Sequence, residues 1–169
     1  MSLSALTAFG RRYARAWCSQ DPDKVAAFFA EDGSLTVNEG KPAVGREAIA
    51  EVARSFMTTF PDLHVSMKGL TRESRGIVFH WSLLGTNTAP GGKGHRVEID
   101  GLEVWRVDAD GLIAESKGEF NAEDYAYQLE HGVRQPEAED EDNPPVRRGR
   151  PPNAAKQRAS SESDDEDAE

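Results

Sequence analysis

The amino-acid sequence predicts an α+β domain, in which helices are segregated from an antiparallel sheet. Apolar residues recur with helical spacing before Pro61 and with a period of two from Leu63 onward. The tight-turn sequences Ser74-Arg75-Gly76 and Ala109-Asp110-Gly111 separate long segments of period two, which is typical of a meander of antiparallel strands. The predicted order is helix, helix, short strand, helix, four long strands and a last helix.

The N-terminal part of the chain is predicted to contain two helices and a short strand. The first helix covers residues 4–19, because its apolar residues share one helical face: Leu6, Phe9, Tyr13 and Trp17. The second begins at Asp21-Pro22, where an N-cap residue precedes proline at the first helical position. Val25, Phe28 and Phe29 form its apolar side, and it ends at Asp32-Gly33. A short strand is expected over 34–37.

The third helix and the four long strands follow. The helix opens at Gly45 and ends before Pro61, with an apolar stripe at helical spacing: Ile49, Val52, Phe56 and Phe60. The strands are expected at 63–73, 77–88, 95–108 and 112–120. Gly101 lies in mid-strand, which indicates a bulge or a sharp bend. Asn121 can cap a last helix that ends at Gly132.

Residues 1–133 and 134–169 differ in composition. From Gln135 to Glu169 the only larger apolar side chain is Val146. Such a segment buries too little apolar surface to offset its conformational entropy. We therefore predict a folded domain over 1–133 and a disordered polyampholytic tail over 134–169.

The composition excludes several classes of protein. The net charge is −10, and this acidic excess argues against a domain that binds nucleic acid or anionic membranes in general. Cys18 is the single cysteine, which excludes an internal disulfide and a cysteine-based metal site. The first residues lack the pattern of a signal peptide, and no apolar run approaches the length of a membrane span. We expect a cytoplasmic protein without membrane association.

Six segments spread over residues 4–133 carry a family resemblance. They are Phe60–Val65, Trp81 with the following Gly85–Thr88, Val97–Gly101, Val104–Val107, Asp110–Glu115 and Gln128-Leu129. In order and spacing they resemble the NTF2-like superfamily, in particular the SnoaL-like polyketide cyclases. The resemblance implies an NTF2-like cone: a strongly bent antiparallel sheet with helices that close an apolar pocket. It also implies a homodimer through the outer sheet face and no metal or organic cofactor.

Two polar residues depart from the family's pattern. In the cyclases an acidic residue on the last strand acts as acid and base in an intramolecular aldol closure. Here Asn87 replaces the usual histidine after Gly-Thr, and Asn121 replaces the aspartate just before the last helix. An amide cannot exchange a proton near neutral pH, so we expect these two residues to bind and orient a ligand.

Two carboxylates are candidates for acid–base catalysis. Asp100 precedes Gly101, where a bend would aim side chains into the cone, and burial there would raise its pKa toward that of a general base. The alternative is a strand residue that faces solvent or binds the backbone of a bulge. Glu119 shares strand parity with Lys117 and Asn121, so the three either line the mouth of the pocket or form a wet outer face.

The apolar wall of the pocket is predicted to include Phe56, from the stripe of the third helix, and Trp81, from a central strand. The histidines His64, His95 and His131 have no partner at the spacing of metal ligands. We therefore predict no metal site.

The tail carries one motif in its basic run. Arg148-Gly149-Arg150-Pro151, within segment 147–151, resembles the core of an AT-hook. In that motif arginines beside a glycine enter the narrow minor groove of A·T-rich DNA. The resemblance implies weak binding to A·T-rich DNA. The alternative is an ordinary solubilising tail, since acidic blocks on both sides compete for the arginines.

Two hypotheses for the function follow. The first is a domain that binds a small, largely apolar molecule, polyketide-like or another carbonyl compound, with acid–base catalysis of the cyclase or isomerase type by Asp100 or Glu119. The second is a non-catalytic ligand-binding or dimerisation module with a DNA-contacting tail. Carboxylates that face the pocket would favour the first hypothesis.

Overall fold

Helices cover one face of a six-stranded sheet in residues 1–134, the part of the chain that the structure, a computed structural model, describes. The helices are α1 (Leu3–Trp17), α2 (Pro22–Ala26), α3 (Arg46–Thr59) and α4 (Ala122–His131). The strands are β1 (Phe29–Val37), β2 (Ala43–Val44), β3 (His64–Glu73), β4 (Gly76–Thr86), β5 (Arg96–Val107) and β6 (Ile113–Phe120). No helix among these residues is long and apolar enough to cross a bilayer.

The sheet has the strand order β2-β1-β6-β5-β4-β3. Strands β3 to β6 form the predicted antiparallel meander. Strand β1 joins it at β6 in parallel, and β2 pairs antiparallel with β1. Because β2 and β3 lie at opposite edges, the sheet curls without closing into a barrel. The α+β class predicted from the sequence is confirmed.

Side-chain caps fix the starts of three helices. The hydroxyl of Ser2 accepts a hydrogen bond from the backbone N of Ala5 at the start of α1. Asp21 caps α2, which opens with proline as predicted. Asn121 caps α4 by accepting from the backbone N of Asp124 at 2.8 Å. Each cap satisfies a backbone donor that has no partner inside the helix.

The prediction for the second helix was wrong at its C-terminal end. The helix stops at Ala26, and Phe29 begins β1 rather than completing a helical face. The carbonyl of Phe28 accepts from the backbone N of Ile113 at 2.9 Å, so the chain here is already paired with β6. Phe29 lies opposite Ile113 in that pairing, and burial in the sheet overrides the helical spacing.

Of the bulge or sharp bend predicted at Gly101, the bulge is absent from the pairing of β4 with β5. The pairing of β4 with β5 runs without a shift from Ile77↔Trp105 to Thr86↔Arg96, and Gly101 lies opposite Trp81. The register instead shifts in β3 between Met67 and Gly69. A side chain at position 101 would overlap the Trp81 ring and the Glu119 carbonyl oxygen, so the position requires glycine.

An aromatic cluster fills the core between α1 and the sheet. The predicted stripe of α1 is buried: Leu6, Phe9, Tyr13 and Trp17. Phe79 and Trp105 stack with ring centroids 4.9 Å apart, and Tyr13 meets Trp105 edge to face at 5.2 Å. These contacts connect the first helix to β4 and β5 and border the cavity.

Candidate functional site

A cavity lies between the curled sheet and helices α1, α3 and α4. The centre of a water molecule can move through about 60 Å³ of it, whereas a single bound water needs roughly 10–15 Å³ by that measure. Its wall consists of Trp17, Leu35, Val37, Val52, Phe56, Val65, Phe79, Trp81, Leu83, Ile99, Glu103, Gly118, Phe120 and Tyr125. Mostly apolar concave sites of this kind are typical of small-molecule binding.

The alternation of side chains along the strands determines which residues reach the cavity. Strand β4 contributes Phe79, Trp81 and Leu83, and β5 contributes Ile99 and Glu103. Each set falls on one parity of its strand. Among the described residues that form this strand wall, Glu103 alone has a side chain that can carry a charge. The others are apolar.

Glu103 is 7% exposed, and its carboxylate is held by three side-chain donors. Its Oε1 atom accepts from Ser116 Oγ at 2.7 Å, from Trp105 Nε1 at 2.8 Å and from the Tyr13 hydroxyl at 3.0 Å. Among residues 1–134, its Oε2 atom shares only the Tyr13 proton, at 3.2 Å. Oε1 is therefore saturated, and Oε2 keeps capacity for a further hydrogen bond.

Burial raises the pKa of Glu103 from its ordinary value, and the bonds from Trp105, Ser116 and Tyr13 offset part of that rise. The pKa of Tyr13 is raised well above its ordinary value, first by burial and then by the charge of Glu103. Tyr13 therefore remains a neutral donor. A buried carboxyl with a raised pKa is suited to exchanging a proton near neutral pH.

Two other polar groups belong to the cavity wall. The Nε1 atom of Trp81 is buried and has no hydrogen-bond partner within residues 1–134. Tyr125, from α4, is half-buried, and burial raises the pKa of its hydroxyl. The Tyr125 hydroxyl can donate a hydrogen bond to a bound molecule, whereas the Trp81 Nε1 atom has almost no surface open to the cavity.

The predicted pocket residues Phe56 and Trp81 lie in the cavity wall. Their rings come from α3 and β4, the elements expected from the sequence. Asn87 and Asn121 lie elsewhere. Asn87 is buried in the connection between β4 and β5, where its backbone N donates to His95 O at 2.9 Å. Asn121 is exposed and caps α4, so the expectation that either amide lines the cavity is wrong.

The expectation that Asp100 faces the cavity is also wrong. Its carboxylate is exposed and accepts a hydrogen bond from Ser82, its neighbour on β4. Because Ile99 and Glu103 point inward, strand alternation directs Asp100 outward. Glu119 is exposed on the outer face for the same reason, since Gly118 and Phe120 line the cavity.

Sequence reasoning missed Glu103 and Tyr125. A signal for Glu103 was present, because it falls in the period-two series of Val97, Ile99 and Trp105, all of which are buried. A charged residue in such an apolar series indicates a buried polar site. No group of three or more histidine, cysteine, aspartate or glutamate residues in the described range is arranged to hold a metal ion.

Comparisons with known proteins agree with this fold. The model of the SnoaL-like domain family matches residues 10–116 of the chain, which is more than half of its 169 residues. No functionally curated protein matches it.

Several solved structures are similar. A protein from Catenulispora acidiphila with a ketosteroid isomerase-like fold, solved with trimethylamine, has a TM-score of 0.63 at 17% identity, over 77% of this chain and 95% of its own. The epoxide hydrolase/cyclase-like enzyme SalBIII, which has a role in pyran ring formation in the polyether salinomycin, has a TM-score of 0.61 at 18% identity. The match covers 72% of this chain and 94% of that enzyme. A protein assigned as a SnoaL-like polyketide cyclase from Jannaschia sp. CCS1 has a TM-score of 0.59 at 18% identity. The match covers 70% of this chain and 85% of that protein. At these identities the likeness shows the fold, and it confirms the predicted NTF2-like cone.

Proposed function

Since the chain belongs to the SnoaL-like domain family, we propose that its cavity binds a small, largely apolar molecule, polyketide-like or another carbonyl compound, and that Glu103 is the acid–base group. The observation that carries this proposal is the Glu103 carboxyl, buried in an apolar wall with one oxygen still able to bond. The similar structures with cyclase names and the one that holds trimethylamine support a small-molecule site.

The geometry of Glu103 supports a mechanism in which the same oxygen, Oε2, first accepts a proton from the ligand and later returns it. With the carboxylate charged, Oε2 accepts a proton from the carbon beside a carbonyl group, and the C–H electron pair passes into an enolate. In a ring closure, the enolate carbon bonds to a second carbonyl carbon of the same molecule. The protonated Glu103 then returns its proton to the new alkoxide oxygen. Atoms and charge balance without an oxidant or reductant.

The three fixed donors keep the carboxylate in one orientation throughout this cycle. Ser116, Trp105 and Tyr13 come from β6, β5 and α1, so the position of Oε1 depends on the packing of three elements. Preorganised groups of this kind need no rearrangement at the moment of proton transfer. Asp100 and Glu119 are exposed on the outer face of the sheet, and strand alternation directs both carboxylates away from the cavity.

The test compares Glu103→Gln with the outer-face variants Asp100→Asn and Glu119→Gln. Exchange of the α-protons of cyclohexanone in D2O, followed by NMR, reports proton transfer directly. We expect the wild type to accelerate the exchange, Glu103→Gln to lose roughly 10²-fold or more, and both outer-face variants to match the wild type. Equal losses in all three variants, or full activity of Glu103→Gln, would contradict the proposal.

A second candidate rests on the tail motif Arg148-Gly149-Arg150-Pro151, which lies outside the described residues 1–134. We propose that it binds A·T-rich DNA weakly, and that the domain forms a homodimer through its outer sheet face. DNA binding without exchange activity would favour a non-catalytic ligand-binding or dimerisation module.

A further inference from the structure

Gly118 is the only glycine of the cavity wall among residues 1–134. It lies within β6, where a glycine weakens the strand because it has no side chain to pack. Its backbone is outside the left-handed region that favours glycine, so the conformation of the chain does not require this residue. What surrounds the position therefore decides whether a larger residue would fit.

Two other strand glycines make room for side chains of the domain. A Cβ at Gly85 would stand 2.8 Å from the ring of Phe60. A Cβ at Gly101 would stand 2.4 Å from the ring of Trp81. At Gly118, by contrast, a Cβ would meet no atom of the described residues nearer than 3.4 Å, which is ordinary van der Waals contact. Gly118 therefore leaves room for about one methyl group, and this room belongs to the cavity.

The room over Gly118 adjoins the acid. Glu103 is the partner of Gly118 on β5, and a Cβ at position 118 would stand 3.7 Å from Cγ of Glu103, the atom that carries the carboxyl group. Val37 is the partner of Gly118 on β1, and Phe120 follows on the same face of β6. All three neighbours line the cavity, so the room is bounded by the acid on one side and by apolar groups on the others.

The strand donors that hold the carboxylate lie toward the other end of the pairing. Ser116 and Trp105, which both donate to Oε1 of Glu103, are partners of each other across β6 and β5. In the opposite direction along β6, Gly118 and Phe120 have no side-chain donor or acceptor. A ligand over Gly118 therefore approaches the acid without displacing the hydrogen bonds that orient it.

We propose that Gly118 is a specificity-determining residue: the reacting carbon of the ligand lies over it, and the absent side chain admits a carbon that carries a substituent. The ligand class is a carbonyl compound whose reacting carbon is a methylene group of a ring or chain. An alanine methyl group would occupy the same room and leave space beside Glu103 only for a terminal methyl group. The inference rests on the proposed function, because it concerns the carbon from which Glu103 takes the proton.

The test compares two ketones in the α-proton exchange measured in D2O with the full chain. Cyclohexanone reacts at a ring methylene and acetone at a methyl group. We expect Gly118→Ala to lower the ratio of the two protein-accelerated rates, cyclohexanone to acetone, about tenfold, as one methylene group does in an apolar pocket. Gly69→Ala is the matched control, because Gly69 lies outside the cavity wall, and it should keep the wild-type ratio. An unchanged ratio in Gly118→Ala, or an equal fall in both variants, overturns the subsite.

The thermal unfolding midpoint of the same variants separates a filled cavity from a damaged core. Gly118→Ala should unfold at the wild-type temperature or above it, because the methyl group fits and alanine loses less backbone freedom on folding. A midpoint lowered as far as in Gly101→Ala overturns the subsite, since side chains of the domain would then already fill the room. If the wild type accelerates the exchange of neither ketone, the proposed function falls together with the subsite. If Glu103→Gln abolishes the exchange while Gly118→Ala keeps the wild-type ratio, the subsite alone falls.

Discussion

Gly101 lies directly beneath the indole of Trp81, its partner in the antiparallel pairing of β4 and β5. A Cβ at position 101 would stand 2.4 Å from Cζ2 and 2.7 Å from Cη2 of that ring. The glycine therefore leaves space for the Trp81 indole, which packs directly on the backbone of β5.

The first prediction is that Gly101→Ala destabilises the protein by about 1–3 kcal/mol, because the new methyl group overlaps both the Trp81 ring and the Glu119 carbonyl oxygen. Affinity for apolar ligands should fall with it. Gly69→Ala is the matched control, since a Cβ at that strand position meets no atom of the described residues within 4 Å. Chemical denaturation measures both variants. An equal loss of stability in the two would contradict the role assigned to the close contacts at Gly101.

The second prediction concerns the pH dependence of stability that Glu103 causes. Burial raises the pKa of Glu103 above its ordinary value of 4.5 in the folded protein. The folded state therefore binds this proton more tightly than the unfolded state. The stabilising contribution is fully present below pH 4.5 and is lost as the pH rises through the folded pKa.

The measurement is the free energy of unfolding of the wild type minus that of Glu103→Gln, from urea denaturation at several pH values. The subtraction removes the contributions of the other titrating groups, including Asp62, whose pKa is lowered. This difference should decrease as the pH rises above 4.5 and then become constant. A difference that is constant or increases over that range would show that Glu103 is not the buried group described above.

The third prediction is that Ser116→Ala raises the pKa of Glu103 further. The Ser116 hydroxyl donates to Oε1 at 2.7 Å, and this bond lowers the pKa of the carboxyl by favouring its charged form. The decline in stability should therefore extend to higher pH, with a loss of about 1 kcal/mol near neutral pH. Ser82→Ala is the control, because Ser82 donates to the exposed Asp100. If both serine variants give the wild-type pH profile, the bond has no influence on Glu103.

The helices and the meander could be predicted because their signals are local. The stripe of α1 and the period of two along β3 to β6 depend only on neighbouring residues. The misplaced C-terminal part of α2 has the opposite cause. Phe28 and Phe29 fit a helical face by spacing. Their backbone instead pairs with β6, which lies more than eighty positions further along the chain.

The sequence analysis chose Asp100 as an acid of the site because it assumed a bulge or bend at Gly101, whereas the carboxyl in the cavity wall is that of Glu103. A bulge at Gly101 would have reset the alternation of side chains, but the register is continuous, so Asp100 keeps the parity that points away from the cavity. The shared parity of Ile99, Glu103 and Trp105, all of which are buried, indicates that Glu103 points inward. The three donors that orient Glu103 could not be inferred locally, because Tyr13 is 90 positions away in sequence and reaches it only through the packing of α1.

The fourth prediction is that the full chain binds A·T-rich duplex DNA weakly and with a steep salt dependence, through Arg148-Gly149-Arg150-Pro151. Replacing Arg148 and Arg150 together by alanine should abolish the preference for A·T-rich over G·C-rich duplexes. The matched control replaces Lys156 and Arg158, which removes the same charge from the same basic run. Fluorescence anisotropy at low salt measures all three proteins. Equal losses in the two double variants would indicate general charge attraction instead of minor-groove recognition.

The fifth prediction concerns Gln128, which attaches α4 to the stretch of β5 that pairs with β4 but not with β6. The pairing of β5 with β6 begins at Gly101, so within residues 1–134 the segment before it has a strand on one side only. There the Gln128 side chain replaces a strand: Oε1 accepts from Glu98 N at 2.7 Å, and Nε2 donates to Glu98 O at 3.1 Å. Gln128 is 3% exposed, so these bonds are shielded from water.

Gln128→Ala should cost about 1–3 kcal/mol, because it leaves two backbone groups of Glu98 without partners. It should also loosen α4, which carries Tyr125 into the cavity wall, and thereby weaken ligand binding. Amide hydrogen exchange at Glu98 is the direct readout and should accelerate well beyond the change in the β4 strand. Glu130→Ala is the control, since its ion pair with Lys93 is more than half exposed and such pairs contribute little. Unchanged exchange at Glu98, or equal acceleration in the control, would show that α4 is held by its apolar contacts alone.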